Sequence, residues 1–269
     1  MDPIAKTAYY CCGVRAADAA SPTPICGDQF AQHFMNSAGR EIFKNFERFR
    51  LPNATNVTRA RVIDDWLRER LKVTPELQIV LIGAGFDTRA YRLEGGRWVE
   101  FDQPSLIAAK NTALPVTEAH NPLERVAIDF SSENLADRLK PWATQQPTVV
   151  VMEGVSMYLT VEQLQATLAA LRQAFPRHTL ICDLMTVHFQ RRFGGPIQAE
   201  IAKLGGRFAP PLADPAGAVA AMGYGQLQRV SMVARARELG AIKIPKLLLN
   251  TLLRGLRDGY CAYQFEAKA

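Results

Sequence analysis

Between about residues 58 and 182 the chain alternates two apolar patterns. The first is short and continuous: QIVLI (78–82), RWVEF (97–101), RVAID (125–129), PTVVVM (147–152) and TLIC (179–182). The second has helical spacing. Val62, Ile63, Trp66, Leu67 and Leu71 share one face of a helix that Asn56 or Thr58 could cap. Leu106, Ile107 and Leu114 follow Pro104, which suits a first helical turn. A polar helix is expected around 132–140. Leu164, Leu168, Leu171 and Phe175 follow the capping box of Thr160 and Gln163. Runs of apolar residues without alternation belong to strands covered on both faces, so these segments predict a parallel sheet between helices. The fold class is α/β, doubly wound and mostly parallel.

The flanks do not share that rhythm. Residues 1–56 read as helices and loops, and 186–225 are rich in glycine and proline with scattered aromatics. Both are expected to cap the carboxyl ends of the strands, where ligands bind in open α/β sheets. The expected division is one domain: an N-terminal helical segment (1–56), a core (57–185), a cap insertion (186–225) and C-terminal strands (226–269). The alternation in GYCAYQFE (259–266) suggests an antiparallel edge strand.

Composition narrows the class. The 269 residues are 48% hydrophobic and 22% charged, which is ordinary globular usage. No apolar run approaches the roughly 18 residues of a membrane span, and no signal peptide is read at the N-terminus. Five cysteines without CxxC spacing fit reduced thiols and a cytoplasmic setting. The net charge of +6 is spread along the chain rather than gathered in a stripe, so nucleic acid is not expected as a partner. His33, His120, His178 and His188 lack HxxxH or HExxH spacing, no GxSxG elbow is present, and no metal is expected.

The chemistry concentrates at strand ends. Gly83-Ala84-Gly85 follows the first strand, where glycine permits close backbone approach and the next helix offers N–H groups. A full dinucleotide fingerprint would need a third small residue at position 88, where Thr88 stands instead. Asp102 ends the second strand, placed either for ribose hydroxyls or to cap the helix at Pro104. Asp129 and Phe130 offer an acceptor and a ring to an adenine, or a cap beside a core aromatic. Glu153 sets a carboxylate at the mouth of the fourth strand. This row is acidic and carries no Lys or Arg for a pyrophosphate. It suits a nucleoside bearing a cation, such as the sulfonium of S-adenosylmethionine.

The runs GAGFDTRAYRL (83–93), VEFDQPSLIAAK (99–110), EGVSMYL (153–159) and TRARVIDDWL (58–67) closely resemble the leucine carboxyl methyltransferase family of class I S-adenosylmethionine-dependent methyltransferases, near its polyketide O-methyltransferase branch. The likeness spans about residues 7 to 266. It implies a Rossmann-like sheet of seven strands and S-adenosylmethionine as cofactor. It also implies that Arg59 holds the methionine carboxylate, with Arg61 the competing residue. Gly83, Ala84 and Gly85 would receive the amino-acid part, Asp102 the ribose, Asp129 and Phe130 the adenine, and Glu153 the methionine amino group.

Much of the acceleration of methyl transfer from a sulfonium can come from positioning and water exclusion. A carboxylate acceptor needs no base, whereas a phenol would benefit from one, with Tyr158, His188 and Arg191 the catalytic candidates. Tyr158, His188, Arg191 and Arg192 are the polar side chains expected to face the acceptor. The aromatic content of the two caps predicts a small, partly apolar acceptor methylated on oxygen, a carboxylate somewhat ahead of a phenol. Three alternatives stay open: a nucleoside-binding interaction protein without turnover, a protein carboxyl methyltransferase and a nicotinamide-dependent reductase.

Overall fold

A computed structural model describes residues 3–268. Seven strands form one sheet: β1 (Gln78–Ile82), β2 (Arg97–Asp102), β3 (Leu123–Ala127), β4 (Thr148–Met152), β5 (His178–Met185), β6 (Tyr224–Ser231) and β7 (Tyr260–Ala267). Their order is β3-β2-β1-β4-β5-β7-β6. The first five run parallel, and β7 runs antiparallel to both β5 and β6. The sheet is therefore mixed, and its architecture is the expected doubly wound, Rossmann-like one.

The continuous apolar runs divide by residue parity, as pleating requires. Ile79 and Leu81 of β1, with Trp98, Val149, Val151 and Ile181, pack on one face against Ile63, Trp66, Leu67 and Leu71 of the helix Arg50–Val73. Val80 and Ile82, with Val99, Phe101, Val150 and Leu180, pack on the other against Leu164, Leu168 and Leu171 of the helix Val161–Ala174. Thr160 and Gln163 close the latter's capping box in both directions. A third cluster joins Tyr10 and Val14 of the helix Pro3–Ala19 to Phe46, Val57 and Ile201.

Three expectations need correction. The helix Arg50–Val73 begins ahead of both Asn56 and Thr58, so neither caps it. Thr58 instead bonds back to the Ala54 carbonyl at 2.7 Å, and the Asn56 amide donates to Cys11 Sγ at 3.1 Å. Around 132–140 the chain forms only a short helix, Leu135–Leu139, capped by Asn134. The strand over 259–266 is antiparallel but internal: β7 pairs on both sides, and β6 holds the edge. Burial of Tyr260–Phe265 on both faces explains why this stretch is uniformly apolar or paired rather than solvated on one side.

Candidate active site

Strand order reverses between β1 and β4, so the loops leaving those strands diverge and open a crevice at the carboxyl end of the sheet. A cavity of about 320 Å³ fills that crevice, a volume within the usual range for cofactor sites. Gly83, Ala84 and Gly85 line it after β1, Asp102 and Gln103 after β2, Phe130 and Ser131 after β3, and Glu153 and Gly154 after β4. Thr7, Cys11 and Arg15 enter from the helix Pro3–Ala19, and Arg59 from the helix Arg50–Val73.

The glycine turn is shaped by backbone geometry that only glycine takes readily. Gly83 has φ +68° and Gly85 φ +52°, and a Cβ on Gly83 would fall 2.6 Å from Val155 Cγ2. The N–H groups of Gly83 and Ala84 both donate to the Phe101 carbonyl, at 2.9 and 3.1 Å. The turn's donors at Gly83 and Ala84 are thus spent inside the protein. Gly85 N donates to Asp102 Oδ2 at 2.6 Å and Gln103 N to Asp102 Oδ1 at 2.7 Å. These two bonds aim the carboxylate into the cavity wall. Burial raises the Asp102 pKa despite both of them. Gln103, not Asp102, is the cap residue of the helix Pro104–Ala113.

Glu153 is the centre of a buried ionic network. Its Oε1 takes Arg59 Nε at 2.9 Å and its Oε2 takes Arg89 Nη2 at 2.7 Å. Arg59 Nη1 also reaches Asp183 Oδ2 at 3.0 Å and Tyr260 Oη at 2.8 Å, while Gly154 N donates to Asp183 Oδ1 at 2.6 Å. Arg89 pairs further with Asp64 and Asp87. Arg15 pairs with Asp28 at 2.9 Å and donates to the Phe86 carbonyl at 2.6 Å. Burial opposes charge on Glu153, but Arg89, Arg59 and Arg15 outweigh it and hold its pKa far below the ordinary carboxylate range. The Arg59 Nη2 edge is held loosely, by Cys11 Sγ at 3.9 Å. A Cβ at Gly154 would lie 3.2 Å from that nitrogen, so the glycine keeps this edge open.

A second cavity, of about 100 Å³, adjoins the first and shares Thr7, Cys11, Arg59, Gly154 and Tyr158 with it. Its remaining wall is mainly apolar: Leu51, Met157, Met185, Phe189, Phe193, Ile197, Ile201 and Phe208, with Tyr10, Thr55, Asn56 and Gln198 among them. Tyr158 stands at the junction, edge-on to Phe208 at 5.1 Å. Burial pushes its hydroxyl up to about 12, against a hydrogen bond with Thr7.

Of the residues singled out from sequence, Arg59, Gly83, Ala84, Gly85, Asp102, Phe130, Glu153 and Tyr158 come together around the first cavity. Asp129 does not line it. Its carboxylate is occupied by Ser131 N, Ser131 Oγ and Ser132 Oγ at 2.6–2.9 Å, and so shapes the loop that carries Phe130. Arg61 turns away to Asp65 and the Ile25 carbonyl. His188, Arg191 and Arg192 are exposed and line neither cavity. They share the helix Val187–Phe193 with Phe189 and Phe193, and those two, four residues apart, take the inward face. Sequence reasoning missed Arg15, Cys11 and Asn56. Arg15 left no local signal, since it shares its helix with Lys6 and Asp18.

Comparison with known proteins bears on the lineage and the fold. Residues 8–172 match the model of the leucine carboxyl methyltransferase family. The tetracenomycin polyketide synthesis O-methyltransferase TcmP of Streptomyces glaucescens is 28% identical over 54% of this chain and 52% of its own length. An S-adenosyl-L-methionine-dependent methyltransferase of Gibberella zeae is 26% identical over 60% of this chain and 58% of its own. The match thus spans a little over half the length of these relatives. Among solved structures, a DUF574 family protein from Streptomyces avermitilis superposes with a TM-score of 0.62 at 11% identity, covering 96% of this chain and 97% of that one. Magnesium protoporphyrin IX methyltransferase of Synechocystis, with bound S-adenosylhomocysteine, gives 0.52 at 14% identity, covering 90% and 99%. The structural likenesses establish the fold, and the match over 8–172 establishes the lineage: the chain belongs to the leucine carboxyl methyltransferase family.

Proposed function

We propose that the protein is an S-adenosylmethionine-dependent O-methyltransferase acting on a carboxylate or hydroxyl oxygen of a small, partly apolar molecule. The observation that carries this reading is the pair of adjoining cavities, one charged and set at the strand ends, the other apolar and set beneath the caps. The relatives' names point the same way.

The residues of the first cavity fit the cofactor. Asp102 has lone pairs left for ribose hydroxyls, and Phe130 leaves 38% of its surface free beside the cavity for a base. Arg15 and the loose edge of Arg59 face the position of a carboxylate. Asp87, Asp102 and Glu153 make the lining favourable for a cation. When bound, S-adenosylmethionine supplies an electrophilic methyl group on its sulfonium. The protein's part is to hold the acceptor oxygen in line with that methyl and to keep water out. A carboxylate acceptor loses no proton in the transfer, whereas a hydroxyl releases one. Tyr158 stands where the two cavities join, and its hydroxyl is placed to orient the acceptor by a hydrogen bond.

The test has two arms. Titration calorimetry with S-adenosylmethionine, S-adenosylhomocysteine and NADPH is expected to give binding of the first two only. Transfer of a labelled methyl to an acceptor panel, followed by mild base, separates esters from ethers. Binding without transfer to any acceptor would favour an interaction protein, and transfer confined to protein tails would reject a small-molecule acceptor.

A further inference from the structure

Between Glu238 and Asp258 the chain carries the cations Lys243, Lys246, Arg254 and Arg257 and no acid. Two short helices form there, Lys246–Asn250 and Arg254–Asp258, joined by a tight turn. Leu249 and Leu256 are buried in the core, and Ile242, Ile244 and Leu253 pack beside them. Those contacts fix the segment, yet Leu247 and Leu252 stay 77% and 84% exposed. The turn is braced from within. Thr251 Oγ1 donates to the Leu247 carbonyl at 2.7 Å, and Leu253 N to the Leu248 carbonyl at 3.0 Å. Arg254 Nε and Arg257 Nη1 hold the Asn250 carbonyl and side chain at 2.7 and 2.9 Å. The two leucines thus protrude from an ordered knuckle. Lys243, Lys246 and Arg254 are exposed around it, and none forms a salt bridge with a described residue.

A protruding leucine is costly in water and gains either from a fitted pocket or from a fluid it can sink into. Lipid is such a fluid and needs no complementary shape, and anionic headgroups match the cations. A second copy of the knuckle would bring like charge against like. The knuckle also abuts the helix Val187–Phe193, which walls the second cavity: a Cβ at Gly255 would lie 2.6 Å from His188 Nε2.

We propose that residues 243–254 dock the protein on an anionic lipid surface. Leu247 and Leu252 sink among the acyl chains, while Lys243, Lys246 and Arg254 meet the headgroups. The inference goes beyond the methyltransferase reading and stands without it, since it concerns where the protein sits and not what it transfers.

The probes are vesicles of phosphatidylcholine alone and of phosphatidylcholine mixed with phosphatidylglycerol, sedimented with the protein. Binding is expected to the mixed vesicles only, and should decline as salt is raised. Lys243→Gln with Lys246→Gln should weaken it about 25-fold, roughly fivefold for each lysine near the surface. Leu247→Ser with Leu252→Ser should weaken it about tenfold or more at unchanged salt dependence, and keep the wild-type urea midpoint. Equal sedimentation with both vesicles, or a leucine variant that binds as wild type does, would overturn the proposal. So would a dimer in sedimentation velocity that the leucine substitutions dissolve, which would give this face to a second copy. The comparison of the two vesicles with wild-type protein decides the matter even where a variant does not fold.

Discussion

The two cavities meet at Arg59 and Tyr158 but are built by opposite means. The first is walled by backbone at strand ends and by carboxylates and guanidiniums that neutralise one another. The second is walled by side chains from three helices, Pro3–Ala19, Arg50–Val73 and Gly195–Lys203, and by aromatics of the segment that follows β5. Paired charge in a buried place is rigid, because moving one partner strands the other. Apolar packing has no such all-or-none character, and shapes can change by small steps. Substitutions in the first region should therefore damage fold and cofactor binding together. Those in the second should change the acceptor and leave the rest.

The largest effect is expected at Arg89, which is 1% exposed and serves Asp64, Asp87 and Glu153 at once. Arg89→Met should cost about 3–5 kcal/mol in urea unfolding, since it leaves buried carboxylates uncompensated. A loss below 1 kcal/mol would show that the network relaxes and is not rigid. The same network sets an acid limit. The pKa of Glu153 is held low in the folded chain, so its contribution to stability is complete above the ordinary carboxylate pKa of about 4.3 and is lost as the pH falls below it. Asp64 and Asp28 are shifted in the same direction, each against its own burial, by Arg92 and Arg89 and by Arg15 and Arg92. Wild-type urea midpoints should decline from about pH 5 downwards. Glu153→Gln should be weaker at pH 7 and decline less steeply, and parallel profiles would remove Glu153 from the account.

Asp102→Ala comes next. It should weaken S-adenosylhomocysteine binding by about 1–3 kcal/mol, the cost of leaving ribose hydroxyls without an acceptor. Unchanged affinity in calorimetry would leave Asp102 as a brace for Gly85 and Gln103 only. Phe208→Ala crosses to the second region. Loss of its edge contact with Tyr158 is expected to cost about 0.5–1.5 kcal/mol, to alter acceptor selection, and to leave S-adenosylhomocysteine affinity as it was. A fall in cofactor affinity would mean that the two regions are coupled through Tyr158.

The same contrast decides how much could be read beforehand. Strands β1, β2, β4 and β5 were legible because burial on both faces leaves runs such as QIVLI with no polar alternation. By contrast β3, a partly buried edge strand, lies at Leu123–Ala127, two residues ahead of the expected 125–129. Asp102 and Glu153 were legible at the cavity because a residue's place along a strand sets its distance from the ligand crevice, whereas Asp129 is held by Ser131 and Ser132 in its own loop. Asn56 was read as a cap because local chemistry favours it there, yet contact with Cys11, 45 positions earlier, governs it. Arg15 was missed for the same reason, since nothing local in Pro3–Ala19 says that its guanidinium meets Asp28 and the Phe86 carbonyl. For the segment after β5, composition placed aromatics and arginines together, and only helical phase separates them.

That phase yields the smallest effect and the sharpest control. Phe189 and Phe193 face the second cavity, so His188 and Arg191, on intervening positions, face away. Both are exposed, and neither forms a salt bridge with a described residue. Removal of such a side chain should leave stability within about 0.5 kcal/mol. His188→Ala and Arg191→Ala are accordingly expected to match wild type in urea midpoint, in S-adenosylhomocysteine affinity and in methyl transfer. Their neighbour Phe189→Ala, only one position from His188, should lose acceptor binding. A tenfold loss of transfer in either surface variant, with cofactor affinity intact, would mean that the helix Val187–Phe193 turns its outer face to the acceptor during turnover. The second cavity would then have a movable wall, and its size in the free protein would not limit the acceptor.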